Sequence, residues 1–484
     1  MNTPSKSKQS LTPKSQDLSG WYNEVILSAQ LADYTPVKGC MVIRPYGYAI
    51  WEGIQSYLDK QFKLLGVQNA YFPLFIPESL LQKEKDHLEG FSPELAVVTI
   101  GGGEELKERL VVRPTSETIA YVMYAKWIQS HRDLPLLLNF WNSVVRWEKR
   151  TYLFMRTTEF LWQEGHTVHE TFEDADTFAR TILALYKKFD EEILGIPVVI
   201  GRKSTTEKFA GANITYTLEA LMPDGKALQL GTSHNLGDNF SRAFDIKFQD
   251  KEGKLQYAWQ TSWAETTRVI GGLIMTQGDD KGLIMPPFIA PYQVVLLPIR
   301  KNKEEASQAH KDYVDSIFKE LTDAGIRVHI DDRDGYSPGW KFNEWELKGV
   351  PVRIEIGQRE VEEDVVTVAR RDNGTKIKVQ SSKIKTEVDS LLKDIHTTLF
   401  SKAKTFLEEN THTVDSYDEF KEIMKTKRGF LKALWCENAE CEKKIKEETK
   451  ASTRVLPVDA KEEKGVCILC GKAATHRWYF GQSY

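Results

Sequence analysis

The sequence predicts a multidomain α+β protein, in which a large N-terminal α+β unit is followed by a small α/β unit and a small metal-binding α+β unit. Three observations support this prediction. A chain of 484 residues is long enough for two to four domains. Segments typical of strands and helices alternate from residue 293 onward, as in α/β units. Four of the five cysteines cluster near the C-terminus, which favours a metal over disulfides in a cytosolic chain.

Composition and charge narrow the possible classes of protein. Apolar residues make up 41% and charged residues 28%, as in ordinary globular proteins, and no run approaches the roughly 18 apolar residues of a membrane helix. Residues 1–17 carry lysines without an apolar core, so we interpret them as a disordered tail and expect a cytoplasmic protein without a membrane partner. Lys and Arg (65) nearly balance Asp and Glu (69), so any RNA contact must come from local basic patches.

Hydrophobic periodicity and turn residues predict the elements of the N-terminal unit, residues 18–288. Apolar residues recur at helical spacing in its helices, and its strands are rich in β-branched and aromatic residues. Outside the hairpin described below, the predicted elements are helix Leu18 to Asp33, strand Gly39 to Pro45, helix Tyr48 to Gly66, strand Ala70 to Pro77, strand Leu110 to Glu117, helix Thr118 to Ser130, helix Phe172 to Leu194, strand Ile196 to Arg202, strand Ala227 to Asn239, strand Tyr257 to Thr261 and helix Glu265 to Thr276. Because Pro73 cannot donate to a strand ladder, we expect it on an edge strand or at a dimer contact.

The second unit, residues 289–400, shows a regular alternation of short apolar runs and amphipathic segments. The predicted elements are strand Gln293 to Pro298, helix Lys303 to Gly325, strand Ile326 to Ile330, helix Gly339 to Lys348 and strand Val350 to Ile356. Three aromatic residues of the second helix, Trp340, Phe342 and Trp345, either stack on unpaired bases or pack in the core.

The third unit, residues 401–484, combines a predicted basic helix, Lys421 to Lys432, with two cysteine pairs. Four residues separate the first pair, and the second has C-x-x-C spacing. This pattern predicts a tetrahedral zinc site of four thiolates, Cys436, Cys441, Cys467 and Cys470. Because thiolates fill all four positions, the zinc would be structural. The alternative is four thiols without a metal.

The stretch from Phe140 to Val168 is the strongest candidate for a chemical site. It is predicted to form two strands, Phe140 to Trp147 and Glu159 to Val168, joined by a loop that carries Lys149, Arg150 and Arg156. Side chains alternate between the faces of a strand. One face of the second strand therefore presents Phe160, Trp162, Glu164 and His166.

This face suits a pocket better than a core or an outer surface. Two aromatic rings can enclose an apolar ring, and the carboxylate of Glu164 can accept from an ammonium group. Arg146 and Glu148 point the same way at the end of the first strand. The alternative is a simple ion pair between those two residues, with His166 as a core histidine.

Other features indicate a nucleotide. Thr266, Thr267 and Arg268 open a predicted helix, and helix N-termini attract phosphate groups. The chain contains neither a GxxxxGK loop nor a GxGxxG fingerprint, which argues against a P-loop NTPase and a dinucleotide-binding fold. Arginines beside an exposed phenylalanine favour a nucleotide held by phosphate charge and base stacking.

With these residues in place, the chain resembles the class II aminoacyl-tRNA synthetases, and within them the prolyl-tRNA synthetases of the archaeal and eukaryotic-like type. The segments that carry the resemblance are RPTSE (113–117), LWQEGH (161–166), LGTSHNLG (230–237), TTRVIG (266–271) and the clustered cysteines. It implies an antiparallel catalytic sheet flanked by helices, then an α/β anticodon-binding domain and a zinc-binding C-terminal domain. It also implies a homodimer that activates L-proline with ATP and transfers it to the 3′ end of tRNA(Pro).

The resemblance further implies roles for individual residues. Arg146 and Arg268 would be catalytic, and a magnesium ion bound with ATP would contact Gln229. The ATP site would comprise Arg146, Glu148, Arg156, Thr157, Phe160, Gln229, Thr232, Thr266 and Arg268. The proline site would comprise Thr115, Glu117, Arg146, Trp162, Glu164, His166, Phe209 and His234. Phe342, Glu346 and Arg353 would contact the anticodon.

Alternatives to this interpretation can be separated by simple observations. Another class II synthetase, such as a threonyl or glycyl enzyme, would exchange pyrophosphate with a different amino acid. An inactive paralogue that only binds tRNA would be expected to lose its phosphate-binding arginines, yet Arg146, Arg156 and Arg268 are present. An amino-acid ligase that works without tRNA would not need the anticodon-like unit.

Only about 100 residues separate His166 from Thr266, so we expect no editing insertion and no hydrolysis of alanyl-tRNA.

Overall fold

The computed structural model describes residues 11–81, 95–300 and 307–484. Within these ranges the α-helices are α1 Leu18–Ser28, α2 Pro45–Leu64, α3 Glu117–Trp127, α4 Phe172–Glu192, α5 Asn239–Phe244, α6 Arg268–Gln277, α7 Gln308–Asp323, α8 Pro338–Leu347, α9 Gln358–Glu362, α10 Ile384–Glu409, α11 Tyr417–Thr426 and α12 Ala439–Thr449. The strands of the N-terminal unit are β1 Ala32–Tyr34, β2 Met41–Ile43, β3 Gln68–Asn69, β4 Phe75–Pro77, β5 Val97–Gly101, β6 Glu104–Val112, β7 Leu136–Val145, β8 Glu159–His169, β9 Val199–Arg202, β10 Ile214–Leu221, β11 Ala227–Gly237, β12 Lys247–Gln249, β13 Leu255–Tyr257 and β14 Trp259–Thr266. The strands after them are β15 Val294–Pro298, β16 Val328–Ile330, β17 Val352–Ile356, β18 Val365–Arg370, β19 Lys376–Gln380, β20 Thr411–Thr413, β21 Phe430–Leu434, β22 Ser452–Pro457, β23 Gly465–Val466, β24 Ala473–Ala474 and β25 Arg477–Gly481.

An eleven-stranded sheet runs through the N-terminal and C-terminal units. Its strand order is β20-β21-β25-β22-β9-β10-β11-β14-β8-β7-β3, and only the two outermost pairs are parallel. Helix α4 packs on this sheet with an apolar face that includes Ile182, Tyr186 and Phe189, each fully buried. Since one helical face is apolar and the other is polar, α4 is stable only against such a sheet. The predicted antiparallel sheet flanked by helices is confirmed.

The predicted hairpin forms two adjacent strands near one end of this sheet. Strands β7 and β8 pair antiparallel from Leu136↔Val168 to Val145↔Glu159. Gly165 faces Trp263 of the neighbouring strand β14, and a Cβ atom on this glycine would lie 2.1 Å from the indole ring. Only glycine therefore fits between the two pocket residues on either side of it.

The second unit is the predicted α/β domain. Its sheet has the order β16-β15-β17-β18-β19, in which β15 is parallel to both neighbours and the last two pairs are antiparallel. Helices α7 and α10 bury Ile317 and Ile395 against sheet residues such as Leu296 and Ile354. Short strands alternating with long amphipathic helices give this arrangement.

The C-terminal unit continues the central sheet. Its core contains Phe420, Trp435, Trp478 and Phe480, and its strand β22 pairs with β9 of the N-terminal unit. Gly201 of β9 makes this approach possible, because a Cβ atom there would lie 1.9 Å from the carbonyl oxygen of Leu456. The aromatic C-terminal segment is buried in strand β25, as expected from its composition.

The prediction of a disordered tail over residues 1–17 is wrong for residues 11–17, while residues 1–10 lie outside the described part. The backbone N–H and the hydroxyl of Thr12 donate to Glu24 at 2.7 and 2.9 Å. The Lys14 ammonium donates to the carbonyls of Met275 and Gly278, both at 2.7 Å. These contacts with α1 and with the C-terminal end of α6 fix a segment whose composition alone indicates disorder.

Among the predicted elements that differ from the structure are one strand and one helix. Within the predicted strand Ala70 to Pro77 only β4 Phe75–Pro77 is a strand, which begins after Pro73 and joins a separate sheet with the order β4-β6-β5. The basic helix Lys421 to Lys432 ends at Thr426, and Lys432 lies in strand β21. Arg428 and Gly429 adopt positive φ angles of 60° and 100°, which end the helix.

Candidate functional site

A cavity of about 330 Å³ opens on one face of the central sheet, between β8, β11, β14 and the segment before α3. Its size suits a small-molecule ligand. The sequence-predicted residues for ATP and proline all line it: Thr115, Glu117, Arg146, Glu148, Arg156, Thr157, Phe160, Trp162, Glu164, His166, Phe209, Gln229, Thr232, His234, Thr266 and Arg268. The predicted face of β8 therefore lines this cavity, while the ligands that its residues bind remain a prediction. Thr266 ends β14 and α6 begins at Arg268, so the threonine precedes the helix that it was expected to open.

One end of the cavity is acidic and centres on Glu164, which is 1% exposed. Its carboxylate accepts from the backbone N–H and hydroxyl of Ser116, from Asn142 Nδ2 at 2.9 Å, and lies 3.0 Å from His166 Nε2. The Thr115 hydroxyl lies between Glu164 and the buried carboxylate of Glu117. Ser116 occupies the N-cap position of α3 but makes no side-chain cap hydrogen bond, because its hydroxyl donates to Glu164.

These contacts determine the charge of this end. Burial tends to raise the pKa of Glu164, but the hydrogen bond and charge of His166, with Ser116 and Asn142, lower it from 4.5 to about 2. Burial, helped by the charge of His166, lowers the pKa of His234 to about 3. Near neutral pH, Glu164 is therefore ionised and His234 is neutral. A cavity end of this kind attracts a small cation.

The other end is basic, because Arg146 and Arg156 of the loop after β7 and Arg268 of α6 all line it. Burial and the positive charges of Arg146 and Arg156 lower the pKa of Arg268 to about 10. Burial also lowers the pKa of Arg146, while Glu117, Glu164 and Glu148 oppose that effect. The Arg156 guanidinium pairs with Glu148 at 2.7 Å. Guanidinium groups held this close to one another create a strong site for an anion.

Aromatic rings line the cavity between its two ends. The Arg146 guanidinium lies 5.6 Å from the Phe160 ring centroid and 5.2 Å from that of Trp162. Phe209 packs on His234 with 4.9 Å between the ring centroids. The cavity thus offers flat apolar walls together with charges of both signs, which suits a zwitterion next to a nucleotide.

Sequence reasoning missed several residues of the cavity. Lys203 and Glu207 come from the segment between β9 and β10, and Thr215 bridges to His234 Nδ1 at 3.0 Å. Ser262 lies in register between His166 and His234 on adjacent strands. The alternation along β14 would have identified Ser262, whereas nothing local in the sequence marks Lys203 or Glu207.

The four C-terminal cysteines form a compact cluster. Their sulfur atoms lie within 4.8 Å of one another, and Cys436 Sγ is 3.7 Å from Cys441 Sγ and from Cys470 Sγ. Tetrahedral zinc with Zn–S bonds of about 2.3 Å requires sulfur atoms about 3.8 Å apart. The chain can therefore hold zinc with Cys436, Cys441, Cys467 and Cys470.

The candidate anticodon residues lie together in the second domain. The Arg353 guanidinium is 4.3 Å from the ring centroid of Phe342, and Glu346 follows Phe342 by four residues, on the same face of α8. Glu346 pairs with Lys281 at 3.0 Å. Trp345 is 5% exposed and donates to Asp331, so it packs in the core, whereas Trp340 is exposed.

Within the described ranges, none of the helices is both long enough and apolar enough to span a bilayer.

Three family models match successive parts of the chain. The model described as tRNA synthetase class II core domain (G, H, P, S and T) matches residues 98–277. The anticodon binding domain matches residues 293–391, and the C-terminal domain of prolyl-tRNA synthetase matches residues 417–484. The domain limits at 288 and 400 remain predictions.

Similar proteins cover nearly the whole chain. The proline–tRNA ligase of Alkaliphilus oremlandii is 53% identical over 98% of both chains, and that of Clostridium novyi is 52% identical over 100% of both. A solved structure of prolyl-tRNA synthetase from Cryptosporidium parvum, complexed with halofuginone and AMPPNP, is 43% identical. It superposes with a TM-score of 0.93, covering 98% of this chain and 99% of that one.

The geometry and the comparisons agree. A class II synthetase core uses ATP to join an amino acid to tRNA, and the core, the anticodon-binding domain and the C-terminal domain occur here in one chain. This chain belongs to the prolyl-tRNA synthetase family of class II aminoacyl-tRNA synthetases.

Proposed function

We propose that the cavity binds ATP and L-proline side by side, forms prolyl-adenylate, and passes proline to the 3′ end of tRNA(Pro). One observation carries this proposal: an acidic end around Glu164 and a basic end of three arginines lie in one cavity about 330 Å³ in size. The amino acid has a cationic amine and an anionic carboxylate, so its two charges match the two ends. The triphosphate then extends along the arginines.

At the basic end, Arg146 and Arg268 act as the catalytic residues. Arg146 contacts the α-phosphate and the proline carboxylate, and Arg268 and Phe160 enclose the adenine ring. Arg156 contacts the γ-phosphate and Glu148 the adenine side. Hydroxyl groups from Thr157, Thr232 and Thr266 complete this part of the cavity.

Magnesium fits the same end of the cavity. Mg²⁺ prefers oxygen ligands and is usually bound through substrate phosphates, and the half-buried Gln229 presents an amide oxygen beside the arginines. When bound, the ion would offset negative charge on the phosphates.

The four clustered cysteines would hold a zinc ion. This zinc would have a structural role, since thiolates would fill every coordination position.

At the acidic end, Glu117 and Thr115 accept the secondary ammonium of proline. Glu164 supports them without needing to contact the ligand, since its hydrogen-bonding capacity is already used. Trp162, Phe209 and His234 enclose the five-membered ring, and His166 lines the pocket behind it. A neutral His234 suits this role, because a second positive charge would repel the ammonium group.

The first step needs no general base. The proline carboxylate is already ionised and attacks the α-phosphorus, and pyrophosphate leaves from the opposite side. Arg146 brings the two anions together and, with Arg268, stabilises the charge that develops in the transition state. The acyl group then moves from the adenylate to a hydroxyl of the terminal tRNA ribose, and AMP is released.

We also propose that Phe342, Glu346 and Arg353 read the anticodon, and that the protein is a cytoplasmic homodimer. Arg353 can donate to a guanine edge and Phe342 can stack on a base. The dimer proposal is supported by large exposed apolar side chains on the N-terminal elements of the described chain: Tyr34, Leu64, Tyr71, Phe75 and Ile100 are between 45% and 75% exposed. Groups of this kind mark protein interfaces.

Pyrophosphate exchange with ATP tests the proposal directly. The purified protein should exchange with L-proline and show no exchange with threonine or glycine. Arg146→Ala should abolish exchange while the protein stays folded. Arg150→Ala is a matched control, because this exposed arginine of the same loop does not line the cavity. Exchange that survives in Arg146→Ala, or that requires a different amino acid, would refute the proposed function.

A further inference from the structure

The segment 203–212, here named the pocket loop, joins β9 to β10 and lines the amino-acid end of the cavity. Lys203, Glu207 and Phe209 of this loop all line the cavity. Phe209 packs on His234, and its backbone N–H donates to Thr215 at 2.9 Å. The position of the pocket loop therefore sets the shape of the pocket around the amino-acid ring.

A carboxylate from the C-terminal unit holds this loop. Glu442 of α12 is 3% exposed. It accepts hydrogen bonds from the Ser204 hydroxyl, at 3.2 Å to each oxygen, and from the Thr206 hydroxyl. The hydroxyl of Thr453 on β22 also donates to Glu442, and it lies 3.0 Å from Ser204 Oγ. One buried carboxylate thus joins two residues of the pocket loop to the C-terminal sheet.

Two further contacts connect the same surfaces. Lys446, one turn after Glu442, pairs with Glu207 of the pocket loop at 2.9 Å. Arg454 of β22 and Lys203 both pair with the fully buried Glu219, at 2.8 and 2.6 Å. All of these groups lie outside the reacting atoms, and the contacts of Glu442 and Lys446 reach the pocket through the loop.

The helix that carries Glu442 is itself fixed by the cysteine cluster. Glu442 directly follows Cys441, and Asn438 caps the same helical turn by accepting from the backbone N–H groups of Glu440 and Cys441. The carboxylate therefore has little freedom to move, which makes it a rigid anchor for the hydroxyl groups.

We propose that Glu442 is a positioning residue for amino-acid binding: it fixes the pocket loop through Ser204 and Thr206, and so makes the affinity for proline depend on the C-terminal unit. This inference rests on the proposed function, since it names what the loop positions. Removing the carboxylate frees the loop, and proline then has to order the loop when it binds. The groups assigned to ATP lie on β8, β11, β14, α6 and the loop after β7, and none of them is among the hydrogen-bond partners of Glu442.

Steady-state pyrophosphate exchange with the full-length protein tests the inference. Glu442→Gln should raise the KM for L-proline about tenfold, the effect of weakened hydrogen bonds to a charged acceptor. The KM for ATP should change less than twofold. Thr206→Val, at an exposed position of the pocket loop, should also raise the KM for proline. Adding Ser204→Ala and Thr206→Val to Glu442→Gln should cause little further loss, because the three groups act as one unit.

The matched control is Glu440→Gln, which removes a charge from the same helical turn at an exposed position without contact to the pocket loop. It should leave both KM values unchanged. Melting temperature and zinc content, measured for each variant, separate positioning from stability. A lower melting temperature with an unchanged KM for proline, or equal changes for proline and ATP, would overturn the inference. No proline-dependent exchange in the unmodified protein would instead refute the proposed function itself.

Discussion

Replacing Glu164 by glutamine tests the description of the acidic end most directly. The amide has nearly the shape of the carboxylate but presents an NH₂ group where the carboxylate presents an oxygen. Ser116 and Asn142 donate to the same oxygen of Glu164. An amide nitrogen at that position cannot accept from either donor, and each hydrogen bond to the charged acceptor is worth about 1.5 kcal/mol, so the variant should be about 3 kcal/mol less stable at pH 7.

The lowered pKa of Glu164, to which His166 also contributes, indicates a stabilisation of the same order. The pKa of Glu164 falls from 4.5 to about 2 on folding, and at 1.36 kcal/mol per pKa unit this corresponds to about 3 kcal/mol. Because the folded-state pKa is lowered, the stabilisation is fully present above pH 4.5. It is lost as the pH falls toward 2, at about 1.4 kcal/mol per pH unit.

Urea unfolding, followed by tryptophan fluorescence at several pH values, measures both effects. The difference between the wild-type protein and Glu164→Gln should be constant from pH 7 to about pH 5 and should narrow below pH 4.5. Glu159→Gln, at the exposed start of the same strand, should unfold like the wild type throughout. A Glu164→Gln variant as stable as the wild type, or a difference that does not depend on pH, would refute the reasoning about this carboxylate.

Three further predictions concern other parts of the chain. Cys436→Ser should lower the bound zinc from about one per chain and lower the melting temperature of the C-terminal unit, as measured by metal analysis and calorimetry; an unchanged metal content would exclude the four-thiolate site. Arg353→Ala should weaken tRNA(Pro) binding by about 1–3 kcal/mol and leave proline-dependent exchange intact, whereas equal loss of both would show a folding defect. Purified protein should not deacylate alanyl-tRNA, and release of alanine faster than in buffer alone would contradict the absence of an editing site.

The features best predicted from the sequence depend on local patterns. Alternation along β8 placed Phe160, Trp162, Glu164 and His166 on one face, and this holds because a strand has a fixed period of two residues. The spacing of the cysteines likewise predicted a cluster that the structure brings together. The roles of the pocket residues came from the family resemblance, since periodicity carries no information about substrates.

Features that depend on distant contacts could not be predicted. Residues 11–17 have the composition of a disordered segment, but Lys14 finds carbonyl acceptors more than 250 residues away. In the sequence, Trp345 could be a residue that stacks on bases. In the structure its indole N–H donates to the buried Asp331, so it packs in the core. Lys203 lines the pocket and pairs with Glu219 of β10, a contact that no local pattern indicates.

The shared sheet has a consequence for how the protein is made. Strand β9 is translated long before β22, so on the ribosome a growing chain exposes an unpaired strand edge beside an unfinished active site. Such edges can pair with other chains and promote aggregation. Newly made chains should therefore gain activity only after the last domain has emerged and docked, and prematurely terminated chains should depend on chaperones rather than work as partial enzymes.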